Sequence, residues 1–414
     1  MKEILSIAIL IGIAQICFSQ INWKNDIDTL KVELPKKHIN LFFHSSEQEY
    51  NTGLDKIKNQ CDTLSDFEIV VKLQQQIAKL GDSHTRIDLF KFIKPELRLP
   101  ISMYQFTDGV YILLASKDNS NLIGKKIVAI NGYRIEQVID SVNSLITCEN
   151  EALKKEIFPL LITSTQLLDY FNFKKDGFYY VDILGNDNMV ITQKVNQSPI
   201  STQFVSIDKD SLPYCWSVKK TAFTKKYFDE GKILYVSYNK CVPVSYLQDV
   251  GKIDTLHFED FQEQIFSDLK NKGVKKLVFD MRFNGGGNSI YVSNFVKKLK
   301  RKGIDKKAKI FVIIGRSTFS SAILNTIDFE KNTSAITVGE ETGGKPNHYG
   351  EIKGFILPSS KVEVIYSTKY FKNIENDIST IVPKVTIQSS FQDFINGIDP
   401  VYEWIKAQNT VANT

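Results

Sequence analysis

The chain has 414 residues, of which 43% are hydrophobic, 11% aromatic and 24% charged. That length exceeds one small domain, and that composition excludes an intrinsically disordered chain, which lacks the apolar side chains to build a core. The 52 basic and 47 acidic residues leave a net charge of +5, too mild to imply a nucleic-acid partner.

Residues 1–19, MKEILSIAILIGIAQICFS, set Lys2 before an apolar run from Ile4 to Ile13 and finish with the small residues Cys17 and Ser19. This order predicts a secretory signal peptide cut before Gln20, and hence export to the periplasm or beyond the cell. The apolar run is shorter than the ~20 residues that span a bilayer, so no stable membrane insertion is expected after its removal. Ile16 in front of Cys17 argues against lipid attachment there. Cys61, Cys148, Cys215 and Cys241 remain, at spacings that match no metal site. They are expected to be small buried thiols that the fold does not need as bridges.

The segment 20–95 reads as helical. Its clearest helix starts at Ser65, which has capping-box spacing to Glu68, with Leu64 and Ile69 able to staple across the cap. Phe67, Val70, Val71, Leu73, Ile77 and Leu80 then supply an apolar face, and Gly81 is the stop signal. Asp82-Ser83-His84-Thr85 follows, which puts a histidine in the loop leaving that helix. His38, His44 and His257 have no partner recognisable from the sequence.

From about 96 to 200 the pattern changes to short strands such as 109–114 and 126–130, the latter followed by the turn Asn131-Gly132. The stretch Gly124–Gly132, with a helix-like segment over 135–145, resembles the core of a PDZ domain. That resemblance implies a module that takes up an extended peptide by strand addition; a purely structural β module is the competing reading.

Beyond about 230, strands and helices alternate: 233–238, a helix near 258–269, 276–281, a helix over 290–302, 310–315, another helix after Ser320, and 335–338. Alternation of this kind predicts an α/β domain around a largely parallel sheet, with ligands gathered at the strand ends. The basic cluster Lys297, Lys298, Lys300, Arg301, Lys302, Lys306 and Lys307 reads as a solvated helix end.

Three strand-to-loop transitions in this region carry residues suited to acyl transfer. In Asp280-Met281-Arg282-Phe283-Asn284-Gly285-Gly286-Gly287 the glycines let backbone N–H groups approach a ligand closely, as an oxyanion hole requires. Neither a Walker loop nor a dinucleotide fingerprint is present, so a phosphate site is not expected. In Gly315-Arg316-Ser317-Thr318-Phe319-Ser320-Ser321 a strand meets hydroxylated residues at a helix start, where the dipole favours developing negative charge. Serines also cap helices, so Ser320 has a purely structural reading on local grounds. The third, Gly339-Glu340-Glu341-Thr342-Gly343-Gly344-Lys345-Pro346-Asn347-His348, holds a lysine and a histidine in another glycine-rich loop.

Together these three segments resemble the tail-specific, or C-terminal processing, serine protease family and its relatives, the tricorn protease core and the interphotoreceptor retinoid-binding protein modules. The resemblance covers residues from about 230 to 400, with the Gly81–Thr85 segment and the PDZ-like module upstream in matching order. It implies an α/β, crotonase-like or ClpP-like protease domain at 201–414, preceded by a helical region (20–95) and a β-rich module (96–200). It also implies backbone oxyanion donors at Gly286, Gly287 and Ser321, and a nucleophile at Ser320.

Two bases compete within that resemblance. Gly339 to Lys345 matches the lysine segment of the serine–lysine branch, whereas Ser83-His84 resembles the serine–histidine pair of the tricorn branch, which a downstream glutamate completes. Glu375 and Asp377 are the candidate acids, although Pro383-Lys384 stands where the family carries proline-aspartate. A lysine near its reference pKa of ~10.4 serves as a base only in an apolar pocket, whereas a histidine near ~6.5 is already largely neutral. His348 is a third participant to weigh. The reading is an exported serine peptidase acting on polypeptides, with no metal or cofactor. Its alternatives are a non-catalytic ligand- or peptide-binding protein on the same fold and a small-molecule esterase or amidase.

Overall fold

A computed structural model of the chain describes residues 21–174, 176–185, 187–198, 203–249 and 252–409; the expected signal peptide at 1–19 lies outside them. Three helices come first, α1 (Trp23–Lys37), α2 (Glu47–Gln60) and α3 (Asp66–Ala78). The Ser65 capping box forms: the hydroxyl accepts from Glu68 N at 3.3 Å and the Glu68 carboxylate accepts from Ser65 N at 2.8 Å. Two orphan amides are thereby satisfied at the start of α3. Gly81 leaves the helix at φ +76°, a conformation that costs glycine little, and swings Asp82–Thr85 inward.

The short strand β1 (Arg86–Ile87) is followed by β2 (Ile101–Phe106), β3 (Gly109–Ser116), β4 (Lys126–Ile130) and β5 (Tyr133–Arg134). Helices α4 (Ile135–Asn143), α5 (Glu151–Leu161) and α6 (Thr165–Tyr170) precede β6 (Tyr179–Leu184), β7 (Val190–Val195) and β8 (Phe204–Ser206). These strands form an antiparallel sheet in the order β2-β3-β4-β6-β7, with β5 paired to β4 and β8 to β3. One apolar core runs without a break from α1–α3 through this sheet.

After a short helix α7 (Tyr214–Ser217), most of the remaining chain builds the second core. Strands β9 (Phe223–Phe228) and β10 (Ile233–Tyr238) lead to the hairpin β11 (Val244–Asp249) and β12 (Lys252–His257), then helix α8 (Phe258–Asn271) and β13 (Lys276–Asp280). Helix α9 (Ile290–Arg301), β14 (Lys309–Ile314), α10 (Ser321–Asn332) and β15 (Ile336–Gly339) continue the alternation. A long hairpin, β16 (His348–Ile356) and β17 (Glu363–Phe371), precedes β18 (Val385–Thr386), α11 (Phe391–Ile395) and α12 (Pro400–Ala407). The sheet order is β18-β15-β14-β13-β10-β9, parallel except for the β9–β10 pair, as the strand-helix alternation predicts.

Every residue of β10 and β13 is buried, because helices cover both sheet faces. Leu234, Val236, Leu277, Phe279 and Val312 pack toward α8–α10, while Tyr235, Val278, Phe311 and Ile313 pack toward α12. Even Lys276 is buried, its ammonium donating to the carbonyls of Ile405 (3.0 Å) and Lys406 (2.7 Å) at the end of α12. Hairpin β16–β17 returns to the N-terminal part, where β17 pairs with β1 and its Val364 and Tyr366 join the first core. This contact carries the helix-exit loop Asp82–Thr85 to the strand ends of the second core.

Two corrections to the sequence expectations arise here. The four cysteines among the described residues are unbridged, but only Cys215 and Cys241 are buried; Cys61 and Cys148 are half-buried. His38 has a partner after all: its Nε2 lies 2.9 Å from Asp82 Oδ2, with both side chains fully buried. The two residues are 44 positions apart, so no local pattern signals the pair.

Candidate active site

The loops after β13, β14 and β15 converge at one edge of the parallel sheet. The first is anchored by charge. Arg282 donates to Asp280 Oδ1 at 3.1 Å and forks onto Asp399 at 3.1 and 2.8 Å, while Tyr235 donates to Asp280. Planar bidentate pairing of this kind fixes direction as well as distance. Asp399 also caps α12 by accepting from Val401 N and Tyr402 N, so the Asp-Met-Arg segment ties the loop to that helix.

The glycines of this loop meet the nucleophile segment. Gly286 has φ +103°, and a Cβ there would lie 2.8 Å from Ser320 Cβ and 3.0 Å from Phe319 O. Gly287 has φ +131°, and its Cβ would lie 2.3 Å from Cys241 O. Only glycine fits either position. The Gly286 amide is engaged by Asn284 Oδ1 at 2.9 Å, so it is not free to act as a donor. Among the described residues the Gly287 and Ser321 amides have no acceptor. Ser321 Oγ donates to Gly287 O at 2.6 Å and locks the two loops together.

Ser320 is half-buried and precedes α10 at φ +53° and ψ −122°, with no side-chain capping bond. A non-glycine residue in that region costs on the order of 1–3 kcal/mol, which the surrounding structure must sustain. The purely structural reading as a helix cap is therefore excluded in this conformation, because the hydroxyl does not turn back to the helix amides. The loop is held by Thr318, whose hydroxyl donates to Met281 O at 2.9 Å and accepts from Gly315 N at 3.0 Å. Phe319 N donates to Asn284 O at 3.0 Å.

His84 reaches this loop from the other core. Its ring stacks on Phe319 at 4.6 Å between centroids and on His348 at 5.7 Å. Its amide donates to Asp82 Oδ1 at 3.0 Å. Burial pushes the imidazole down to about 4, so it is neutral at neutral pH despite the nearby Asp82 carboxylate. Asp82 accepts from Thr85 and Ser367 hydroxyls as well as facing His38; these bonds hold its carboxyl below the usual range against the opposing effect of burial.

Beside His84, Ser83 Oγ lies 3.5 Å from Nδ1 and donates to Glu149 Oε1 at 2.9 Å; Ser83 N donates to the same oxygen at 3.2 Å. The other carboxylate oxygen of Glu149 is buried without a partner among the described residues. Burial raises this carboxyl to about 7, against the lowering effect of the Ser83 bonds. Glu149 was not among the sequence candidates, since a lone glutamate before a helix carries no local signal.

The remaining candidates are placed differently. Lys345 Nζ is 2.8 Å from the Asp377 carboxylate, in an ion pair rather than in an apolar pocket. Asp377 is thus engaged by lysine. Glu375 is exposed and makes no hydrogen bond or ion pair among the described residues. The Lys345 loop nevertheless supports the site: Gly344 N donates to Thr318 O at 3.1 Å, and Lys345 O lies 2.9 Å from His348 Nδ1, orienting the ring stacked on His84. Among the described residues no cluster of three metal-ligating side chains occurs, and no helix is long and apolar enough to cross a membrane.

A parallel sheet with these three loops gathered at its strand ends is the fold that the tail-specific protease resemblance implies, and solved structures of CPAF share it. Mature CPAF complexed with lactacystin matches 93% of this chain and 97% of its own, at 12% identity and a TM-score of 0.62. A serine-to-alanine mutant of CPAF matches 94% and 98%, at 13% identity and a TM-score of 0.60. The photosystem II D1 C-terminal processing protease also matches, over 89% and 94%, at 14% identity and a TM-score of 0.41. Neither a family model nor a curated protein matches the sequence.

Proposed function

We propose that this chain is a serine peptidase that cleaves polypeptides through an acyl-enzyme on Ser320. The observation that carries the reading is the backbone of Ser320: a strained, uncapped serine at a helix start, beside the unengaged amides of Gly287 and Ser321. Strain of this kind is sustained where a hydroxyl must be presented to a ligand.

His84 is the proposed base. With Ser83 O–H directed to Glu149, the Ser83 oxygen is free to accept from His84 Nδ1–H, which leaves Nε2 bare to take a proton. Ser320 Oγ attacks the scissile carbonyl carbon as its proton passes to Nε2, and the new oxyanion is held by the Gly287 and Ser321 amides. When the C–N bond breaks, Nε2–H returns the proton to the leaving amine. Water then attacks the acyl-enzyme, with His84 again as proton acceptor. Glu149 acts through Ser83 and is a positioning residue, in the part the sequence assigned to Glu375 or Asp377. Lys345, paired with Asp377, supports the loop.

The β-rich module is proposed to orient the polypeptide. Arg316, in the nucleophile loop, donates to the β2 carbonyl of Gln105 at 2.8 Å and lies 4.7 Å over the Tyr104 ring, which couples the module to Ser320. Export to the periplasm or exterior is proposed on the leader at 1–19. A fluorophosphonate probe tests the catalytic reading: labelling of the wild type and not of Ser320→Ala supports it. A folded protein that is never labelled and cleaves neither casein nor short esters is a binding protein instead.

A further inference from the structure

We infer that the cleft opening beside Ser320 receives the substrate residue preceding the scissile bond and selects a large apolar side chain there. The inference rests on the peptidase reading and deepens it. The cleft, of about 680 Å³, borders the reaction centre: Ser317 and Phe319 of the nucleophile loop line it, with Gly285 of the glycine loop and Ser83 next to His84. One wall is a face of α5, where Leu153, Ile157, Leu160 and Leu161 recur at helical spacing; another is Ile87 of β1 with Leu89 and Phe90 after that strand.

Leu160 and Phe90 are 49% and 47% exposed, and Ile157 is half-buried, so both walls present apolar surface that the chain itself does not cover. Adjacency to the nucleophile loop commits the occupant: a polypeptide held for attack at Ser320 has a side chain next to its reacting carbonyl, and this cleft is lined by Phe319, the residue before the nucleophile. The charged lining reinforces the choice. Asp88, Glu156 and Glu363 stand there against the single guanidinium of Arg86, an arrangement that repels acidic side chains. A shape-matched apolar pocket discriminates by roughly 10–200-fold for small changes in the side chain it holds.

The test is hydrolysis of fluorogenic peptides that differ only at the residue before the cleaved bond, carrying Leu, Phe, Ala, Lys or Asp. Rates are expressed per fluorophosphonate-titrated serine, so that labelling reports on the peptidase reading and the rate ratios report on the pocket. Leu and Phe are expected to exceed Ala by about tenfold or more in kcat/KM and Asp by about a hundredfold. Ile157→Lys, or the more exposed Leu160→Lys should the first not fold, is expected to reduce the Leu-to-Asp ratio at least tenfold. A labelled wild type that cleaves the Leu, Ala and Asp peptides equally, or a folded Ile157→Lys and Leu160→Lys pair with unchanged ratios, overturns the inference. A wild type that is not labelled overturns the reading beneath it as well.

Discussion

Ser83 donates its hydroxyl to Glu149 at 2.9 Å while its oxygen lies 3.5 Å from His84 Nδ1, and Ser83 and Glu149 are brought together from 66 positions apart. The carboxyl that orients the proposed base thus comes from the loop before α5, in the β-rich module, and not from the C-terminal segment. Removing it is expected to weaken base catalysis while leaving the cleft intact. Glu149→Gln should lower kcat about 10²-fold or more with KM nearly unchanged, as measured by steady-state peptide hydrolysis.

The pH dependence of the wild type follows from the same carboxyl. Burial raises Glu149 to about 7 and lowers His84 to about 4, so the acid limb of kcat/KM is expected near pH 7, where Glu149 ionises, with His84 already neutral. In Glu149→Gln that limb should move toward lower pH. The stability effect has a definite sign: the folded carboxyl holds its proton more tightly than the unfolded one. Its contribution is therefore full below the ordinary carboxylate value and is lost as pH rises through about 7, whereas the Gln variant keeps its stability there. A pH series of melting curves for both proteins checks this.

The two bases of the sequence reading separate by mutation. His84→Ala should reduce the fluorophosphonate acylation rate by two or more orders of magnitude, while Lys345→Met, which breaks only the Asp377 ion pair, should cost less than about tenfold. The reverse ranking would make the lysine the base.

Strain at Ser320 makes a prediction about stability that activity alone does not. Ser320→Gly should abolish labelling and hydrolysis yet raise the unfolding free energy by about 1 kcal/mol, because glycine adopts φ +53° without the steric cost. Calorimetry on the variant and on Ser320→Ala, which retains the strain, provides the comparison.

Gly287→Ala is expected to do the opposite. Its β-carbon would fall 2.3 Å from Cys241 O, so the loop must shift, lowering stability and displacing an oxyanion donor. Loss of one well-placed donor corresponds to about 10²–10³ in kcat. A Gly287→Ala protein with normal turnover would remove this amide from the proposed mechanism.

Much of this molecule is written in short-range pattern. The alternation of β13, α9, β14, α10 and β15 follows from apolar runs that must be covered on both faces, and the Ser65 cap and the Gly81 stop follow from backbone groups needing partners within one helical turn. The close backbone approach at Gly286 and Gly287 was legible too, because it restricts those positions to glycine, whereas Ser320 was singled out by the family resemblance, its local pattern reading equally as a helix cap. The choice between bases and the identity of the acid were not legible. Whether Lys345 sits in an apolar pocket or against Asp377, and whether Ser83 faces Glu375 or Glu149, depends on how β17 docks on β1 and how the module's helices pack beside the strand ends. Protonation and hydrogen bonding at a site are set by burial and by neighbours from distant segments, and those neighbours exist only once the two cores have closed on each other.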